Sequence, residues 1–309
     1  MDRCVYVVLV IGTCIIYIIA TSFNALAGGG GKNGVFKSNT GNISDKYYID
    51  VTPAGWTFSI WGVIYIWQAL WLLYAIANIF RKTGEGYAFN NPELMTVPFF
   101  TIFSINMGMN LAWIFLFDRE YLEAAFAILL LMYITLYACL FLSYRALHHN
   151  LHSMKKSGRN ADIWLTRILV QNGISVYATW CTIATNLNLS MVLVYRSSFY
   201  VSVLTGGTVV LSIITAQIIV FVIFDFFVLD RFTRYTMTPY MVIIVALIGS
   251  LTKNYSEGAR NTNFTIVLLS IASVLFVIKV ILTIVRHVRQ PLCVGDISDS
   301  KEQLKKQVV

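Results

Sequence analysis

Charge is scarce in this sequence. Only 12% of its 309 residues are Asp, Glu, Lys or Arg, while 57% are hydrophobic, a balance outside the range of soluble globular domains. Cysteine and histidine are few as well. Cys4, Cys14, Cys139, Cys181 and Cys293 fall mostly within apolar runs and form no C-x-x-C pair, which argues against a disulfide framework and against structural zinc. His148, His149 and His152 are expected in a basic loop after the fourth apolar span and have no evident third ligand, so no metal site is expected. Also missing are a nucleophile elbow, an H-E-x-x-H helix and a dinucleotide fingerprint. Gly28 to Gly31, followed by Lys32, lacks both the spacing of a phosphate-binding loop and a preceding strand, and reads as part of a flexible linker. Glu85, Glu93, Glu120 and Glu123 stand in or beside loops without acid and base pairing. The expectation is a protein that is not an enzyme and requires no cofactor. A net charge of +8 would point to nucleic acid in a soluble chain, but here the basic residues gather in short loops and a tail beside apolar segments. Membrane lipid is therefore the expected partner, and nucleic acid is not.

Apolar runs of transmembrane length recur instead, without the strict alternation of a membrane strand. The fold class is all-α: a polytopic membrane helix bundle of about eight spans, at roughly 5–26, 56–79, 95–117, 121–144, 164–194, 200–229, 237–252 and 264–285. The seventh is the shortest. Lys and Arg favour one side of this arrangement by about two to one, which places both termini on the cytoplasmic side. The N-x-[ST] triplets at Asn42, Asn254 and Asn263 fall in loops on the opposite side and are candidate glycosylation sites, whereas the one at Asn188 lies within a span. Met1-Asp2-Arg3 and Ala25-Leu26-Ala27 give the first span some features of a signal peptide, but its apolar run is long for one, and the span is expected to be retained.

The spans carry polar and aromatic residues on single faces. Asn106, Asn110 and Trp113 recur at i, i+4 and i+7 in the third span, and Trp61, Tyr65 and Gln68 do so in the second, with Trp56 one turn further out. In the fifth, Tyr177, Trp180, Ala184 and Asn188 form a third stripe. Lipid offers no partner to an amide, so such faces turn inward, and the three stripes overlap in the middle and outer half of the bilayer. An aromatic-walled cavity there suits a flat or rigid apolar ligand with one or two polar groups. Interhelical hydrogen bonding and gap filling are the alternative use of the same residues.

Pro53-Ala-Gly-Trp56-Thr-Phe58-Ser-Ile-Trp61-Gly-Val-Ile-Tyr65, Asn110-Leu-Ala-Trp113 and Tyr177-Ala-Thr-Trp180-Cys-Thr-Ile-Ala184-Thr185-Asn-Leu-Asn188 resemble, in order, hallmarks of the TspO/translocator (peripheral benzodiazepine receptor) family. The likeness is to its longer members, the tryptophan-rich sensory proteins, and covers roughly residues 20–194. The resemblance implies a five-helix bundle that binds porphyrin, haem or sterol-like molecules in a pocket beneath the first loop, and it implies that homodimers occur. By carry-over the pocket includes Trp56, Trp61, Asn110, Trp113, Trp180, Ala184 and Asn188; Phe58 and the stripe residues Tyr65, Asn106 and Tyr177 complete the candidate ligand-binding set. Leu193-Val-Tyr195-Arg196 only approaches a sterol-recognition pattern, lacking the spacer between Tyr and Arg, so sterol has no advantage over tetrapyrrole.

The expected organisation is a TspO-like bundle over 1–195, three additional helices over 196–286 and a cytoplasmic tail over 287–309. Asp225 and Lys279 are the buried charges of the last third and, lying at similar depth, are expected to pair or share water. Three functional readings remain open: a binder or transporter of a hydrophobic tetrapyrrole or sterol-like ligand, a secondary transporter or channel using all eight helices, and a receptor or scaffold subunit without a small molecule. The outward triplets favour an endomembrane or plasma membrane, while the resemblance also allows the mitochondrial outer membrane.

Overall fold

The computed structural model describes residues 1–84, 86–198 and 200–292. Glu85, Cys293 and the tail cations Lys301, Lys305 and Lys306 lie outside the described residues. The chain is helical almost throughout: α1 (Arg3–Gly28), α2 (Thr40–Lys46), α3 (Ile60–Phe80), α4 (Val97–Asp118), α5 (Leu122–Lys156), α6 (Asn160–Leu165), α7 (Asn172–Tyr195), α8 (Val203–Ile223), α9 (Asp230–Thr233), α10 (Thr238–Asn254) and α11 (Arg260–Arg289). Among the described residues the only strands are the two-residue pair Lys82–Thr83 and Gly86–Tyr87.

Six helical segments are long and apolar enough to cross a membrane: Arg3–Gly28, Gly55–Phe80, Val97–Asp118, Leu122–Lys156, Val203–Val228 and Arg260–Arg289. The other two expected spans are helical but differ in kind. At 17 residues α10 is about 26 Å long, short of the ~30 Å hydrocarbon layer. The fifth runs from α6 through a π-helical turn, Thr166–Gln171, into α7, and is too polar to qualify. Its position explains that polarity. α7 packs against α3, α5, α8 and α10, and most of its residues are buried, Asn186, Asn188 and Ser190 among them. A helix enclosed by other helices does not face lipid and tolerates amides that find partners: Asn186 Nδ2 donates to Gln217 Oε1 of α8 at 2.7 Å. In contrast, α1 and α11 lie at the periphery and expose Val8, Ile15, Val274 and Ile281.

Local chemistry sets the helix ends. Thr96 caps α4 by accepting from the Phe99 N–H, and Ser202 caps α8 by accepting from the Thr205 N–H. A Cβ placed on Gly206 would lie 2.6 Å from Ser190 Oγ and from Val194 Cγ2, so α8 reaches α7 only because this residue is glycine. α1 is joined to its neighbours by Thr13 Oγ1 to Ser104 Oγ at 2.9 Å and by Tyr17 OH to Tyr65 O at 2.9 Å. At the end of the bundle remote from α2, Asp162 accepts from Tyr74 OH at 3.0 Å and pairs with Arg81 and Arg159.

Two expectations from composition are corrected. The Gly- and Asn-rich segment after α1 is not a loose linker, because Asp118 accepts from the backbone N–H groups of Lys37 and Ser38, each at 2.9 Å, and Ile43, Ile49 and Val51 are buried. Its far end is stapled to the last helices through Ala54 N–H to Gly249 O (2.9 Å) and Asn261 Nδ2 to Asp50 Oδ2 (3.0 Å). His148, His149 and His152 do not stand in a loop either, since α5 continues to Lys156 and carries all three.

Candidate functional site

The α2 end of the bundle holds a cavity of about 450 Å³. Its roof and mouth come from the segment after α1, with Asn39, Thr40, Asn42 and Asp45, and its walls from Asn24, Phe58, Trp61, Tyr65, Trp113 and Ile114. A narrow crevice of about 30 Å³ adjoins it, sharing Thr40, Phe58, Trp61 and Trp113 and reaching Trp180, Ala184, Asn188 and Met191.

Trp61 is the hub of this site. Its ring stacks on Trp113 at 5.4 Å between centroids and on Tyr65 at 5.7 Å, and meets Tyr177 and Trp180 edge-on at 5.9 and 6.5 Å. Phe58 meets Trp180 edge-on at 6.5 Å, and Trp113 stacks on Phe117 at 5.5 Å. Three helices thus contribute one continuous aromatic surface, in the offset and edge-to-face arrangements that ring quadrupoles favour.

Polar groups dominate the roof and are few at the aromatic floor. Asn110 Oδ1 accepts from Asn24 Nδ2 at 2.7 Å and from Tyr65 OH at 3.3 Å, tying α1, α3 and α4 together beside the cavity. The buried Trp113 Nε1, Trp180 Nε1 and Asn188 Oδ1 have no protein hydrogen-bond partner. Such groups are costly to bury unsatisfied, and here two donors and one acceptor cluster along the crevice. Among the described residues no His or Cys lines the cavity or the crevice.

Charges surround the mouth in pairs. Lys253 pairs with Asp45, and Glu120 takes Lys46 Nζ at 2.6 Å and Tyr47 OH at 2.6 Å. Those hydrogen bonds, Lys46 first, hold the Glu120 carboxyl below its ordinary range. Glu120 adopts φ 62°, a left-handed conformation at the turn between α4 and α5 that points it back toward α2.

Most residues singled out from sequence gather here: Phe58, Trp61, Tyr65 and Trp113 line the cavity, Trp180, Ala184 and Asn188 the crevice, and Asn110 and Tyr177 lie in contact with this set. Two do not. Asn106 faces α5, donating through Nδ2 to Met132 O and Thr135 Oγ1, each at 2.8 Å. Trp56 is half-exposed and lines a separate cavity of about 210 Å³ against α10. Gln68, part of the Trp61 stripe, is a buried brace that donates to Gly173 O and accepts from Trp71 Nε1, both at 2.8 Å. Asn24, Asn39, Thr40 and Asp45 were not singled out as lining. Asn24-Ala-Leu-Ala and Thr40-Gly-Asn-Ile-Ser-Asp45 share the likeness to the longer family members, but no periodicity assigns them a face, and nothing local marks Asn39.

Elsewhere, Lys279 Nζ lies 2.8 Å from Asp225 Oδ1, and Tyr240 OH donates to Asp225 Oδ2 at 2.6 Å. Of the N-x-[ST] triplets, Asn42 and Asn263 are exposed, whereas Asn254 donates to Thr52 O and Ser250 O and accepts from Tyr48 OH. Among the described residues no group of three His, Cys, Asp or Glu side chains could hold a metal ion.

A family model described as TSPO-like protein matches residues 8–285. The match runs well past residue 194, where the resemblance of individual motifs ends, and takes in α8, α10 and most of α11. No curated protein and no solved structure matches the chain.

Proposed function

We propose a ligand-binding role for this chain, which belongs to the TSPO-like protein family. It is a multi-pass membrane protein, and several of its apolar helices expose large aliphatic side chains suited to lipid. In our reading it binds a flat hydrophobic molecule, a tetrapyrrole or a sterol-like compound, between α2 and the aromatic floor. The observation that carries this is the stack of Tyr65, Trp61 and Trp113 under a 450 Å³ cavity. That volume falls within the range of small-molecule sites, and a planar aromatic floor favours a planar guest.

The unpartnered Trp113 and Trp180 indoles, with Asn188, supply hydrogen-bonding groups that a polar substituent on the guest would satisfy. The stacked floor would recognise a tetrapyrrole through its ring face, and the polar roof would meet its edge substituents. The positive-inside bias supports termini on the cytoplasmic side and a mouth facing away from it. Endomembrane or plasma membrane remains our assignment.

The test is a tryptophan-fluorescence titration of detergent-purified full-length protein with protoporphyrin IX, haemin and cholesterol, corrected for porphyrin absorption. Saturable binding that weakens about tenfold or more in Trp61→Ala, and less in Trp61→Phe, is expected. Equal affinity in all three proteins, with unchanged circular dichroism, would move the ligand elsewhere. If none of the probes binds, the weight shifts to a transporter of another substrate or to a scaffold subunit.

A further inference from the structure

A second cavity, of about 430 Å³, lies at the opposite end of the bundle, between α5, α7 and the chain from the end of α8 to the start of α10. It exists only because the last third of the chain is present. Residues 137–145 of α5 form one wall, and Phe221, Leu229 and Phe232 close the other. The end of α8 passes through a π-helical turn, Phe224–Val228, which carries Asp225 to the inner wall.

The lining is apolar with one sign of free charge. Asp225 has both oxygens engaged, one by Lys279 and one by Tyr240, so it offers no attraction to a cation. Tyr144 OH and Thr236 Oγ1 satisfy each other at 2.8 Å. Arg145, exposed where it lines the cavity, has no hydrogen bond, ion pair or ring partner among the described residues. Arg231 lies over the Phe232 ring, with its guanidinium carbon 4.8 Å from the centroid, and His148 packs on the same ring from α5. The site is thus an apolar chamber with a basic rim, lying at the level where α5 leaves its apolar stretch.

We propose that this chamber binds an anionic amphiphile with a single apolar tail, the tail packed against Leu140, Phe141 and Phe221 and the acidic head paired with Arg145. The chemistry is the same for a free long-chain carboxylate and for one acyl chain of an anionic phospholipid. An apolar wall accepts methylene groups at no polar cost, and a guanidinium at the rim gives a charge-assisted hydrogen bond to a carboxylate or phosphate. This site is independent of the aromatic cavity under α2 and stands whether or not that cavity binds a ligand.

The experiment uses full-length protein in nanodiscs of phosphatidylcholine, titrated with a palmitate bearing a photoreactive diazirine, with crosslinked peptides mapped by mass spectrometry. Saturable labelling concentrated in residues 137–145 and 221–239 is expected. It should weaken about tenfold in Arg145→Ala, be largely retained in Arg145→Lys, and be lost in Leu229→Trp, which fills the chamber from its rim. Trp61→Ala should leave it unchanged. Arg145 is exposed, so its variants report on binding and not on folding. Labelling spread over the lipid-facing sides of α1 and α11, or equal labelling by the uncharged alcohol analogue, would overturn the assignment. Adding phosphatidylglycerol to the nanodiscs separates the two sources: competition identifies a phospholipid as the occupant, and no competition identifies the free carboxylate.

Discussion

Trp61 and Trp113 stack with ring centroids 5.4 Å apart and 30° between their planes, locking α3 to α4 at the floor of the α2-end cavity. Each ring sets the position of the other. Stacked aromatic pairs are worth ~0.5–1.5 kcal/mol beyond their buried area. A double-mutant cycle of Trp61→Leu and Trp113→Leu, read by thermal unfolding in detergent, should show coupling of that size. Strict additivity would mean that the contact contributes nothing to the floor.

Asp225 and Lys279 join α8 to α11 in a site with almost no exposure on either partner. Removing one charge leaves the other uncompensated. Asp225→Asn is expected to cost ~3–5 kcal/mol, and the double variant Asp225→Leu with Lys279→Met to recover much of that loss. Thermal stability of purified protein decides it, and a double variant as unstable as the single would show that the pair matters for more than charge.

Glu120 fastens α2 to the turn between α4 and α5 through Lys46 and Tyr47. Its folded pKa is depressed, so the stabilisation is fully present above the ordinary carboxylate value near ~4.3 and is lost as pH falls through the lower folded value. Hydrogen exchange over residues 37–48 should therefore stay flat from about pH 8 to 5 after correction for intrinsic rate. Glu120→Gln should raise exchange across that whole range. Protection unchanged in Glu120→Gln would place the anchorage on Asp118 and on the Asp45–Lys253 pair.

Gly206 allows α8 to approach α7 closely, with the built Cβ position 2.6 Å from Ser190 and Val194. Gly206→Leu should destabilise the protein by ~1–3 kcal/mol through overpacking. Gly12, which meets nothing within 4 Å, serves as the control, since Gly12→Leu changes only an open face of α1. Equal melting temperatures for the two variants would argue against the close crossing.

In a glycosylating host, Asn42 should carry a glycan and Asn254 should not, because the Asn254 amide is occupied by Thr52, Ser250 and Tyr48. In an Asn263→Gln background, a glycosidase-sensitive mobility shift that disappears on adding Asn42→Gln and persists on adding Asn254→Gln is the expected pattern. Because Asn42 lines the mouth, that variant also reports whether a glycan hinders access. A shift that survives Asn42→Gln would place the modification elsewhere.

Much of this was written in the sequence. Long apolar runs set the helices, since a backbone in lipid must satisfy its own hydrogen bonds. Trp61, Trp113 and Trp180 could be recognised because large aromatic and amide groups repeat at helical spacing within otherwise aliphatic segments. Periodicity assigns a face but not a neighbour, and there the tertiary structure decided. Asn106 and Asn110 lie one turn apart on α4, yet one bonds to α5 and the other to α1 and α3. The segment after α1 has the composition of a linker and is ordered by partners far along the chain: Asp118, Gly249 and Asn261. Beyond the stripe of Tyr177, Trp180, Ala184 and Asn188, α7 also carries Asn186 and Ser190, and burial on nearly all sides accounts for that further polarity. Depth alone made Asp225 and Lys279 candidates for pairing, but the 2.8 Å contact needed α8 and α11 to pack side by side, because burial makes a lone charge costly without naming its partner.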